Sequence, residues 1–121
     1  MAAPNLVNVT SIYGKTLGWA LTTTNATALT CAAEKVCKVN SIIVSNIDGS
    51  NAVDVTVSFY NSDNTTIFHI ASTVTVPAKS TLVVLGKDSP IYLEEGDQIH
   101  CLASAASDAV LVLSYEEMDD A

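Results

Sequence analysis

Three carboxylates crowd together at Glu94, Glu95 and Asp97, two histidines stand at positions 69 and 100, and three cysteines at 31, 37 and 101. These are the residues that could do chemistry. Paired carboxylates can share acid–base work in glycoside hydrolysis. Here they flank Gly96 in a tight turn, on a chain too small to build a deep cleft, so Glu94, Glu95 and Asp97 are given no catalytic role. His100 and Cys101 are neighbours, and adjacent strand residues point to opposite faces, so they cannot chelate one ion. His69, between Phe68 and Ile70, is expected to face solvent or another subunit. Asp48-Gly49-Ser50-Asn51 with Asp54 lacks the alternating acids and terminal Glu of a calcium loop and reads as a turn. Ser and Thr are plentiful, but no Gly-X-Ser-X-Gly elbow occurs. The sequence offers no nucleophile–base constellation and no glycine-rich phosphate loop. The expectation is no enzyme: no catalytic residues, no metal site, no cofactor.

An odd number of cysteines is a poor disulfide framework. Cys31 and Cys37 could pair, but their spacing does not demand it; three free, mostly buried thiols in a reducing compartment is the plainer reading. Acidic residues number 13 against 5 lysines, with no arginine, for a net charge of -8. That field repels phosphate backbones and anionic bilayers, which argues against nucleic-acid and membrane partners. The start, Met-Ala-Ala-Pro-Asn, lacks the charged and apolar regions of a secretory signal.

The elements that must position these groups are strands. Val53, Val55, Val57 and Phe59 alternate with Asp54, Thr56, Ser58 and Tyr60, giving one dry and one wet face. Residues 36–47 form a long strand whose centre, Ile42-Ile43-Val44, is apolar on both faces, which suggests a central place covered on both sides. Further strands are expected at 18–24, 65–70, 74–76, 81–85, 91–93, 98–103 and 109–115, while Tyr13-Gly14-Lys15-Thr16 reads as a turn. About eight to ten short strands, with no credible long helix, predict an all-β antiparallel β-sandwich, jelly-roll or immunoglobulin-like. The expected organisation is an extended N-terminal arm at 1–17, a sandwich domain at 18–115 and an acidic, frayed C-terminal tail at 116–121. Leu6, Val7 and Val9 in the arm, with the aromatics Tyr13, Trp19, Tyr60 and Tyr92, are the candidate protein-interface residues.

The run from Lys38 to Gly49, Lys-Val-Asn-Ser-Ile-Ile-Val-Ser-Asn-Ile-Asp-Gly, resembles a stretch of the small virion structural proteins of tailed bacteriophages, notably cyanophages. So do Val74-Thr75-Val76-Pro77-Ala78-Lys79-Ser80-Thr81-Leu82-Val83-Val84, then Ile91-Tyr92-Leu93-Glu94-Glu95-Gly96-Asp97, then the close Leu113-Ser114-Tyr115-Glu116-Glu117. The order of the four carries the resemblance, weakest over 18–37. It implies a capsid decoration (cement) protein on the outside of the virion, made in the host bacterial cytoplasm. Its partners would be the major capsid protein and other virion proteins, with a homo-oligomer, a trimer favoured. A head–tail connector, tail or fibre-associated protein is the first alternative, and a carbohydrate-binding sandwich module the second. A small hydrolase using Glu94, Glu95 or Asp97 comes last.

Overall fold

The computed structural model describes residue 7 and residues 9–119. Nine strands run in order: β1 (Ser11–Ala20), β2 (Ala26–Thr30), β3 (Lys35–Asn46), β4 (Val53–Asn61), β5 (Thr66–Val76), β6 (Thr81–Leu85), β7 (Ile91–Leu93), β8 (Gln98–Ala103) and β9 (Ala109–Asp119). Every pairing is antiparallel. One sheet has the order β1-β9-β3-β6, with β7 sharing the β6 side of β3; the other has the order β2-β8-β4-β5. An immunoglobulin sandwich would pair its first two strands. Here the first strand pairs with the last, and β2 lies in the opposite sheet. The fold is a jelly roll.

On β4 the expected dry face holds at Val53, Val55 and Val57, but Thr56 and Ser58 of the expected wet face are buried too and Phe59 is half-buried. Val53, Val55 and Val57 are buried against Val39, Ile42 and Val44 of β3, Leu111 and Leu113 of β9, and Ile99 and Cys101 of β8, all in one core. On β3 the phase changes. A register shift between Val39 and Ser41 lets Cys37 and Val39 face inward on one side of it and Ile42 and Val44 on the other. One extra residue in a ladder flips every later side chain. Strict alternation along 36–47 therefore fails, and Ile43 ends on the outer face, half-buried, with no second layer over it among the described residues.

Both expected domain boundaries move. Tyr13-Gly14-Lys15-Thr16 is no turn; it lies inside β1, in unbroken register with Tyr115 to Glu117 and Ser114 on β9. The expected tail is also strand: Glu116, Glu117 and Asp119 belong to β9. Lysines on the flanking strands hold it, with Lys15 Nζ 2.9 Å from Glu117 and Lys35 Nζ 3.1 Å from Asp119. A partner strand supplies what the local residues lack. The sandwich thus spans 11–119 rather than 18–115. Leu6 of the expected arm lies outside the described residues, as do 1–5, 8, 120 and 121.

Candidate assembly edges

The carboxylate cluster is a structural tie. Asp97 is buried, and its Oδ1 accepts from the Ser62 backbone N–H (3.0 Å) and hydroxyl (3.1 Å), while Oδ2 accepts from the Glu94 N–H (3.0 Å). Glu95 Oε2 accepts from the Glu34 N–H at 2.6 Å. Together they lash the β2–β3, β4–β5 and β7–β8 loops at one end of the sandwich. Gly96 sits at φ +86°, and a Cβ there would come within 2.9 Å of Ser62 Oγ, so glycine is what lets the two loops close. At the opposite end, Asp48 accepts from the Ser50 N–H and Asn51 Nδ2, closing the expected turn. These hydrogen bonds hold its carboxyl below the usual range.

The histidines meet a serine. Ser58 pairs across the sheet with His100 on one side and His69 on the other. Ser58 Oγ lies 2.7 Å from His69 Nδ1, a serine–histidine contact the sequence does not reveal because β5 must fold back to make it. Ser58 is only 2% exposed, so no substrate carbonyl can reach it. His100 stacks on Tyr60, centroids 5.2 Å apart, between Asn25 Nδ2 (3.0 Å) and Gln98 Oε1 (2.6 Å). Partial burial pushes its pKa below the ordinary 6.5. The unfolded chain therefore takes that proton first. Stability is full above the ordinary histidine value and falls as pH drops through 6.5 toward the lower folded value. Melting temperatures from pH 8 to 5 should fall less in His100→Gln than in the parent; parallel curves would show that His100 has no part in the pH dependence.

What remains for function is the rim. β1 and the β6/β7 side flank one sheet, and β2 and β5 flank the other. Natural sheets blunt such edges with lysines, prolines or inward charges, because bare N–H and C=O groups recruit further strands. These edges are almost undefended. β2 (ATALT), β5 (TIFHIASTVTV), β6 (TLVVL) and β7 (IYL) contain no Lys, Asp or Glu. β1 contains only Lys15, whose ammonium is engaged by Glu117. β5 is interrupted by register shifts against β4. β1 has none over its ten residues and is exposed on both faces, with Ile12 62%, Tyr13 52% and Trp19 38% accessible. The acidic residues described sit in loops and on the interior strands β4 and β9.

No family model matches the chain, and no curated protein sequence does. Solved structures are similar to it, among them two over most of its length. One, of Bacillus endospore appendages that form a family of disulfide-linked pili, has a TM-score of 0.55 at 14% identity over 92% of this chain and 88% of that one. The other, the Drosophila NLP core, studied for pentamer formation and histone binding, has a TM-score of 0.46 at 14% identity over 87% of this chain and 96% of that one. The first likeness is one of fold; the second carries no argument.

The interface candidates do not form one patch. Tyr13 and Trp19 lie on β1, Tyr92 on β7 at the other side of the same sheet, and Tyr60 on the outer face of the second sheet under His100. Val7 is exposed and Val9 half-buried. Two residues absent from that set stand out: Ile67 and Phe68 on β5 are both exposed. Phe68, Phe59, Ile70, Ile91 and Tyr92 line an apolar recess of about 300 Å³ where β5 and β7 leave the sandwich mouth open. Two adjacent large apolar residues on a strand must face opposite sides, and that signal was available in the sequence.

Proposed function

We propose that this chain is a structural subunit that assembles with copies of itself and performs no chemistry. The undefended edge of β1 carries the reading: a regular ten-residue strand with one paired charge, on a chain of net charge -8 whose other described charges lie off the edges. A second copy is the occupant. Strand addition gives main-chain hydrogen bonds, and the exposed Ile12, Tyr13 and Trp19 give the apolar contact. Net charge keeps the free subunit soluble until enough edges meet. The pilus-forming relative in fold supports a polymer of such units.

Decoration of a phage capsid, with the subunit trimeric on the major capsid protein outside the shell, is the narrower form of this proposal. It rests on the resemblance of the four segments quoted above. Connector or tail roles are its nearest rivals, and a glycan array tests the carbohydrate-binding alternative.

The test is a charge-matched pair. Ile12→Lys with Thr16→Lys adds two positive charges on β1, and Asp63→Lys adds two in the β4–β5 turn, away from any edge. All three positions are exposed, so stability should stay within about 0.5 kcal/mol. By light scattering after size exclusion, the parent and Asp63→Lys should be oligomeric. The β1 variant should dissociate with an apparent Kd raised about ten-fold or more. A parent that stays monomeric at high concentration, or a β1 variant that assembles unchanged, overturns the edge. Cryo-electron images of particles carrying the protein then separate shell from connector by copy number.

A further inference from the structure

We propose a second contact between copies, independent of the β1 edge: the outer face of the sheet β1-β9-β3-β6 stacks on the same face of another copy. The registers lay out that face in rows. Gly18, Val112, Ile43 and Val83 lie side by side in one row, and Gly14, Glu116, Lys38 and Tyr92 in another. Between and beside them stand hydroxyls, with Thr16 Oγ1 3.3 Å from Ser114 Oγ and Ser45 Oγ 3.2 Å from Thr81 Oγ1. The inward neighbours Leu111, Leu113, Ile42 and Val44 are fully buried, whereas Val83 is 61% and Tyr92 49% exposed. Lys38 and Glu116 carry the only charges on the face alongside residues 14–20, and among the described residues neither is in an ion pair. On a chain of net charge -8, this is a neutral surface that another copy can approach.

Charge selects the geometry. A two-fold axis along the strands, midway between β9 and β3, lays β9 of one copy over β3 of the other and β1 over the β6/β7 margin. Lys38 of each copy then faces Glu116 of the other, so two opposite-charge pairs form at once. An axis across the strands, centred on the same stretch, would set Lys38 over Ser45 and Glu116 over Val110, with no charge paired. The favoured axis also matches shapes. Each row runs from a glycine on β1 to a large exposed side chain at the far margin, so Val83 meets Gly18 of the other copy and Tyr92 meets Gly14. Neither glycine answers to a crowded neighbour in its own chain: a Cβ at Gly14 would meet nothing within 4 Å, and one at Gly18 only the Leu111 carbonyl oxygen at 3.9 Å. Glycine inside a strand weakens it, and it marks places where another backbone or ligand comes close. Four strands by residues 14–20 make a face of about 19 by 24 Å, roughly 450 Å² a copy. That is less than the ~800 Å² of a standard interface, so the contact is weak alone and gains from any other contact on the same subunit.

The experiment is carbodiimide coupling of the whole protein at high concentration, unlabelled chains mixed with isotope-labelled ones, followed by peptide mapping. The expected product is a Lys38–Glu116 amide that joins a labelled peptide to an unlabelled one. Both residues lie on interior strands, where pairing at a sheet edge cannot bring two copies of them together. A Lys38–Glu116 amide found only within single chains overturns the stack and leaves the β1 edge standing. By sedimentation, Lys38→Glu and Glu116→Lys should each raise the dissociation constant about ten-fold, and the two combined should restore it. Gly14→Thr with Gly18→Thr should keep or raise the melting temperature, since threonine suits a strand better than glycine, yet cut the coupling between copies at least about ten-fold. Undiminished coupling in that variant, or a charge swap that fails to restore association, overturns the proposal as well. The mapping of the parent decides the matter even if a variant does not fold.

Discussion

Asp97→Ala lowers the unfolding free energy by about 3–4 kcal/mol, because one buried carboxylate satisfies three donors on two loops. Alanine leaves the Ser62 and Glu94 N–H groups with no partner in a place water reaches poorly. Asp97→Asn is the instructive companion. Its carbonyl oxygen still accepts from Ser62, but its NH₂ faces the Glu94 N–H, donor against donor, so about half the loss remains. Urea titration reads both as a lower midpoint at unchanged slope. A loss under about 1 kcal/mol for the alanine variant would mean that solvent takes over the carboxylate's bonds and that the acidic turn is free for another task.

Leu111→Ala costs a similar amount, about 3–4 kcal/mol, for a different reason. Leu111 is fully buried near the start of β9, which lies between β1 and β3 and faces the second sheet. Truncation removes transfer free energy and leaves a cavity that two sheets cannot close by sliding. Val112→Ala, one residue on but on the outer face, should cost under about 1 kcal/mol. Equal losses at the two positions would mean that something covers the outer face of that sheet.

Legibility followed distance along the chain. The dry face of β4 could be read from Val53, Val55 and Val57 because alternation is local, whereas the burial of Thr56 and Ser58 on its other face could not. The phase change on β3 could not, since the shift at Val39 and Ser41 exists only in register with β9. Residues 11–17 of β1 read as arm and turn for the same reason: Lys15 meets Tyr115, 100 residues away, and Gly14 reads as a turn residue until a partner strand makes it strand. Asp97 reads only as one of three acids in a tight turn because Ser62 is 35 residues distant. The aromatic candidates Tyr13, Trp19 and Tyr92 do reach the surface, but their separation into different regions follows from sheet order, which no single segment encodes.

The slot that β9 fills has a consequence for synthesis. β1 and β3 leave the ribosome early, yet they do not pair with each other; each pairs with β9, the last of the nine described strands to be made. Until Ala109 to Asp119 emerge, the nascent sheet has a gap one strand wide, lined by main-chain groups of both neighbours. Closure of that gap is a late, non-local event, of the kind that slows β-protein folding and exposes it to mispairing. Two ribosomes on one message would hold such gaps side by side, and a β9 from either chain could enter the other's slot.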